Sequence, residues 1–208
     1  MLATPGRGWA EASGLTGEPW YGPNYTDSMG YGPEMVVARR YAKERYPNVA
    51  VIKHAIGGTR LNTSFPGGPA NWQVDGVSPD GDLRREMIAN TQARLDEILA
   101  NGDTYQIVAC FWYQGESNTG DPLQDRAGAM RDLIRTMRVD LKERFAWINI
   151  TVALFRPFVT AADEEVSRMF AVAQVSSSGL PTFTDNIHLW EDAQITLGNR
   201  CFDVLETM

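Results

Sequence analysis

The apolar and polar positions of the chain change character at Pro33. Residues 1–32 are rich in glycine and proline, with Trp9, Trp20, Tyr21 and Tyr25 as scattered aromatics, a composition that predicts an irregular loop region. From Pro33 the pattern becomes regular. Pro33 and Glu34 open a helix that runs through about Tyr46 and is stopped by Pro47. Val49 to Ile56 is a β-branched run closed by Gly57-Gly58 and predicts a buried strand. A polar loop leads to a helix from about Asp82 to Ala100, with Met87, Ile88, Leu95, Ile98 and Leu99 as its apolar positions. Ile107 to Tyr113 predicts a second strand. A helix from about Leu123 to Arg144 follows, with Met130, Leu133, Ile134, Met137 and Leu141 on one side. Ile148 to Phe155 is a third strand, Ala162 to Ser176 a helix, Pro181 to Thr184 a short fourth strand, and Glu191 to Leu205 a final helix. The strands alternate with helices and are apolar throughout, the signature of a parallel sheet covered on both faces. In such α/β folds ligands sit at the carboxyl ends of strands. Polar, turn-forming segments follow Ile56, Tyr113 and Thr184, where that rule places a site.

Composition narrows the class. A chain of 208 residues with 43% apolar side chains can bury one substantial core, so a single domain over 1–208 is expected. Acidic residues outnumber basic ones 26 to 19, and a net charge of −7 disfavours nucleic acid and anionic lipid as partners. No run approaches the about 18 apolar residues of a membrane span. The opening Met1-Leu-Ala-Thr-Pro lacks a basic segment followed by an apolar one, so no secretory signal is expected within it. Two cysteines make no disulfide framework, and neither has metal-ligand spacing around it. Cys110 and Cys201 are expected as buried small hydrophobes, and neither a cofactor nor a metal is called for.

The chain has only two histidines, which limits the choice of a general base near neutral pH. His54 lies in an apolar run and reads as a core residue. His188 closes Asp185-Asn-Ile-His188, where the carboxylate of Asp185 could fix the imidazole tautomer; a loop that holds Asp and His by coincidence is the plain alternative. Gly57-Gly58-Thr59 after a strand is either an ordinary turn or a place where main-chain N–H groups approach a developing oxyanion. In Trp112-Tyr-Gln114-Gly-Glu116-Ser-Asn118, Gln114 offers a side-chain N–H donor at a strand end, Gly115 permits a sharp turn, and Glu116 reads as a hydrogen-bond acceptor rather than a second base.

Three segments, Lys53-His-Ala-Ile-Gly-Gly-Thr59, Trp112-Tyr-Gln-Gly-Glu-Ser117 and Asp185-x-x-His188, occur in this order at three predicted strand ends. The set resembles the SGNH hydrolase superfamily, and within it the sialate O-acetylesterase and acetylxylan-esterase branch (carbohydrate esterase family 6-like proteins). Gly32-Pro-Glu34 before the first helix matches the same branch. The resemblance implies a three-layer α/β/α sandwich around a parallel, flavodoxin-like sheet. It also implies hydrolysis of acetyl esters on sugar hydroxyls through an acyl-serine intermediate. Gly58 and Gln114 would form the oxyanion hole, His188 would be the base and Asp185 its orienting partner. Gly57, Thr59 and Trp112 would line the substrate side. An acetylated carbohydrate is then the partner, and an extracytoplasmic or cell-surface setting is suggested.

One part of the family pattern is missing. The nucleophile of that superfamily is the serine of a Gly-Gln-Ser-Asn block ending the first, central strand, and these residues contain neither that block nor an apolar strand ahead of residue 35. The expectation is a fold without its first central strand, with the nucleophile upstream of Met1. Unpaired main-chain groups on the neighbouring strands would each cost about 1–3 kcal/mol, unless another segment fills the slot. Tyr25-Thr-Asp-Ser28 imitates the Gly-Asp-Ser of the wider superfamily and makes Ser28 a substitute nucleophile; Ser64 and Ser117 read as loop residues. Two other readings stay open. One is a non-catalytic carbohydrate-binding module on the same scaffold, with Trp9, Trp20 and Trp72 stacking on sugar rings. The other is a nucleotide-binding flavodoxin-like domain, which no phosphate-loop pattern supports.

Overall fold

The structure is a computed structural model that describes residues 2–4, 7–10, 32–56, 58–61, 71–72, 83–118, 123–151, 169, 171–184 and 188–208. The chain divides into two compact units. The first comprises Met1–Gly57 with Val175–Met208, the second Gly58–Gln174.

In the first unit, strands β1 (Leu2–Thr4), β2 (Arg7–Ala10) and β3 (Val51–Ile52) form a sheet of order β2-β1-β3. β1 and β2 pair antiparallel, while β1 runs parallel to β3 with Leu2 opposite Val51 and Ala3 opposite Ile52. This corrects two expectations. The region ahead of Pro33 holds a short hairpin, and one of its strands supplies β3 with a parallel neighbour. The strand expected over Val49–Ile56 is regular only at Val51–Ile52, and Ile56 is exposed.

Helix α1 (Pro33–Glu44) starts where Pro33 can occupy a first-turn position that has no hydrogen bond to lose. Glu34 folds back so that Oε1 accepts the Gly32 N–H at 3.0 Å and the Lys53 ammonium at 2.7 Å. A Cβ at residue 32 would meet only the end of that flexible side chain, which can shift aside. The last helix, α4 (Glu191–Leu205), packs on α1. Its Gly198 lies so close that an added Cβ would stand 2.5 Å from Val36 Cβ and 2.7 Å from the Pro33 carbonyl oxygen. Arg40 completes the contact: its guanidinium sits 4.0 Å from the Phe202 ring centroid and reaches Asp203 at 2.8 Å and Glu44 at 3.1 Å.

The second unit is built on β4 (Ala109–Tyr113) and β5 (Ala146–Thr151), which pair in parallel with Cys110 opposite Trp147 and Trp112 opposite Asn149. β6 (Val172–Ser176) extends the order to β4-β5-β6, and the division between units falls inside it. Helices α2 (Leu83–Ala100) and α3 (Leu123–Asp140) contribute to the core. Met130, Leu133, Ile134, Met137 and Leu141 are all buried, as their spacing predicts; Leu95 of α2 is buried too, but Leu99 faces solvent. Each fully buried side chain of this size contributes about 1.5–3 kcal/mol. Arg138 of α3 donates to the main-chain oxygens of Phe145 (2.9 Å) and Ala171 (3.0 Å). Ala171 also accepts the Trp147 N–H at 2.9 Å, which anchors its left-handed φ of 51° just ahead of β6.

Two further expectations need correction. The helix predicted over Ala162–Ser176 is a strand at Val172–Ser176; its earlier part lies outside the described residues, apart from Met169 and Ala171. Pro181–Thr184 is no sheet strand: Thr182 makes an isolated antiparallel bridge with Leu189. The α/β class with parallel strand pairs and intervening helices stands. Among the described residues no helix is long and apolar enough to cross a membrane.

Candidate active site

Gly58 follows β3 by a few residues with φ +73°, a left-handed conformation that glycine adopts without the steric cost other residues bear, and it is exposed. The chain then turns inward at Thr59, which is buried and hydrogen bonded at both polar ends. Its Oγ1 accepts the Trp72 indole N–H at 3.1 Å, and its main-chain oxygen accepts the Gln114 side-chain amide at 3.0 Å. Arg60 and Asn71 form a parallel bridge, and the Trp72 N–H binds the Arg60 carbonyl at 3.1 Å. The Gly58 turn is therefore fixed to the carboxyl end of β4 through Gln114.

Behind this shelf stand three tryptophans. Trp112 meets Trp72 edge-on at 4.8 Å between ring centroids and stacks on Trp147 at 5.7 Å. Gly115, at φ +153°, lets the chain leave β4 abruptly, and its N–H binds the Glu116 carboxylate at 3.0 Å. Glu116 opens a short 3-10 turn, Glu116–Asn118, and its carboxylate is spent on this turn.

His188 belongs to the first unit and is exposed. Its carbonyl accepts the Phe183 N–H at 2.9 Å, and the Trp190 N–H binds the Pro181 carbonyl at 3.2 Å. Together with the Thr182–Leu189 bridge, these bonds pin both arms of the loop that carries it.

The remaining candidates divide plainly. Gly57, Asp185, Ser28 and Ser64 lie outside the described residues, as does Trp20. His54 is half-buried beyond the end of β3, not a core residue within a strand. Trp72, expected as an exposed sugar platform, is 4% exposed; Trp112 is 5% exposed, so the structure supports it as a packing residue behind Gln114. Ser117 lies in the 3-10 turn. Cys201 is buried; Cys110 is half-buried as a residue, yet its thiol is desolvated, and burial pushes both thiols up to about 12. Among the described residues no three His, Cys, Asp or Glu side chains gather to hold a metal ion.

Two residues past His188 stands Trp190. It is 49% exposed and stacks on Phe183 with ring centroids 4.2 Å apart at 16°.

A family model described as "Carbohydrate esterase, sialic acid-specific acetylesterase" matches residues 6–206. The "Probable carbohydrate esterase At4g34215" of Arabidopsis thaliana is 32% identical over 98 residues, 45% of this chain, and the match spans 38% of that relative's length. The crystal structure of the Arabidopsis thaliana protein AT4G34215 superimposes with a TM-score of 0.68 at 24% identity, covering 88% of this chain and 71% of that one. NanS gives 0.62 at 13% identity, covering 92% and 76%. These two likenesses establish the fold.

Proposed function

This chain belongs to the carbohydrate esterase, sialic acid-specific acetylesterase family, and from that membership we propose that it serves hydrolysis of acetyl esters on sugar hydroxyls. In this reading the Gly58 N–H and the Gln114 side-chain amide are the oxyanion donors, His188 is the general base and Asp185 orients it. The attacking serine belongs to a Gly-Gln-Ser-Asn block that these 208 residues do not contain. The observation that carries the proposal is the bond from the Gln114 side chain to the main-chain oxygen of Thr59, 55 positions away, which ties one donor to the residue next to the other.

The chemistry follows from those roles. His188 takes the proton of the serine hydroxyl as its oxygen bonds to the acetyl carbon, and the carbonyl electron pair moves onto oxygen. The donors meet that new charge without reorganising, an effect commonly worth about 3–4 kcal/mol per donor. Collapse of the tetrahedral intermediate breaks the bond to the sugar oxygen, which leaves with the proton from the imidazolium. Water, activated by the same base, then releases acetate. Thr59, bonded to Trp72 and Gln114, holds the Gly58 turn from behind.

The binding-module alternative has lost one of its three aromatics, because Trp72 is buried. If the DNA ahead of the Met1 codon encodes an in-frame apolar strand ending in Gly-Gln-Ser-Asn, the chain extended by that strand is expected to hydrolyse p-nitrophenyl acetate. His188→Ala is expected to lower kcat at least about a thousandfold. Full activity in that variant would overturn the assignment.

A further inference from the structure

The chain has a single Asn-Gly pair, Asn101-Gly102, and it lies just past the carboxyl end of α2. Both residues are exposed. They close the helix with a left-handed cap: Gly102 has φ +82°, and its N–H donates to the Leu99 carbonyl at 3.0 Å. The Asp103 N–H donates to the Ile98 carbonyl at 3.2 Å, and the Asn101 N–H to that of Glu97 at 3.2 Å. A Cβ built on Gly102 would meet nothing within 4 Å, so water and hydroxide reach the main chain there.

An asparagine followed by glycine can react within its own chain, because no side chain obstructs the second residue's nitrogen. That nitrogen, once a base has taken its proton, bonds to Cγ of the asparagine. The side-chain nitrogen takes up a proton and leaves as ammonia, and a five-membered imide remains. Water then opens the imide at either carbonyl. One opening gives aspartate; the other gives isoaspartate, in which the main chain runs through the former side chain.

We infer that Asn101-Gly102 is a self-modification site gated by the cap of α2. The nitrogen that must attack is the one that donates to Leu99, so it neither loses its proton nor turns toward Cγ until the last turn opens. A helix end opens at little cost in free energy, and here Leu99 and Ala100 both face solvent. Conversion is also one-way. The new carboxylate stands at the negative end of the helix dipole, one turn from Glu97 and two residues from Asp103, and the last turn has no basic side chain to offset it. Isoaspartate adds a methylene to the main chain inside the cap as well. Both changes oppose re-forming the bonds to Leu99 and Ile98, so a converted molecule keeps a loosened end of α2. The inference is independent of the ester chemistry.

The test is incubation of the 208-residue chain at pH 8, folded in buffer and unfolded in guanidinium chloride. Mass spectrometry of the peptide spanning Asn101 reads the gain from amide to acid, and electron-transfer fragmentation tells isoaspartate from aspartate. Acid at Asn101 is expected in both states, forming about ten- to a hundredfold more slowly in the folded chain, the range that local opening of a helix end allows. Ala100→Gly weakens the last turn without touching the reacting pair. It is expected to speed conversion of the folded chain about threefold to fivefold and to leave the unfolded rate unchanged, with native circular dichroism as the check on folding. Asn101→Gln, which would need a less favourable six-membered ring, is expected to stay intact in both states. Equal rates in folded and unfolded wild type would overturn the gating, as would an Ala100→Gly rate equal to that of the folded wild type. Absence of acid at Asn101 in the folded chain after about a hundred half-times of the unfolded reaction would overturn the site.

Discussion

Gln114 gives a side-chain N–H to the main-chain oxygen of Thr59 at 3.0 Å, joining the end of one strand to the turn that follows another. In an esterase with Gln114 as an oxyanion donor, Gln114→Ala removes both that donor and the brace. The expected result is a fall in kcat of about 10²–10³ in the extended, active chain. The accompanying stability loss is about 0.5–1.5 kcal/mol, the net worth of one hydrogen bond. Steady-state kinetics beside urea unfolding separates the two effects. An unchanged kcat with reduced stability would leave Gln114 only a brace.

Glu34 connects the start of α1 to Lys53 through a single carboxylate. Glu34→Gln keeps an acceptor for the Gly32 N–H but removes the charge facing Lys53 and the helix N-terminus. A loss of about 1 kcal/mol is expected, smaller in high salt because both side chains are partly exposed. Glu34→Ala adds an orphaned N–H and is expected to cost about 2 kcal/mol in all. Urea midpoints at low and high salt measure both, and equal stability of the Gln variant and wild type would refute the ion pair's contribution.

Gly198→Ala poses a question of sign. In an exposed helix interior the change stabilises by about 1 kcal/mol. Here the new methyl meets Val36 Cβ and the Pro33 carbonyl oxygen at contact distances that no side-chain rotation relieves. Overpacking of this kind costs about 1–3 kcal/mol, so net destabilisation is expected. Chemical denaturation decides it, and a rise in midpoint would mean the helices separate without penalty.

The thiols of Cys110 and Cys201 ionise near 12 in the folded chain, against an ordinary 9.0, chiefly because burial disfavours the thiolate. Below about pH 9 both states keep the proton and these groups add no slope. Between about 9 and 12 the unfolded chain loses the proton first, so stability falls as pH rises, by on the order of 1.4 kcal/mol per pH unit for each thiol. Urea unfolding from pH 8 to 11 measures this. Cys201→Ala is expected to flatten the curve, and at pH 8 a thiol-reactive dye should label two groups only after denaturation.

Legibility in the sequence followed the strength of the periodic signal. The five apolar positions of α3 and the span of α4 were readable because a helix repeats its buried stripe over four or five turns. Val172–Ser176 was not, since a five-residue strand preceded by a helix-like composition carries no distinguishing period. Pro181–Thr184 misled for another reason: the apolar Phe183 is used to support Trp190, not to fill a sheet. The site showed the same division. Gln114, Gly58 and His188 stood out as candidates through polarity and glycine in apolar surroundings. Which tryptophan faces water did not, because Trp72 in a polar loop is buried by an indole bond to Thr59, while Trp190 beside apolar neighbours stays open.

The three packed rings of Trp72, Trp112 and Trp147, one pair edge-on and one stacked, also make the region behind the Gly58 turn optically distinct. Half of the chain's six tryptophans lie in one column with contacts of 4.8 and 5.7 Å, close enough for their excited states to couple. Such fixed asymmetric packing produces near-ultraviolet ellipticity that vanishes when tertiary order is lost. Trp72 is the member tethered to Thr59, so any loosening of the Gly58–Thr59 turn would register as a spectral change before the helices melt. The fold thus contains its own gauge of whether that turn is intact, readable without substrate or label.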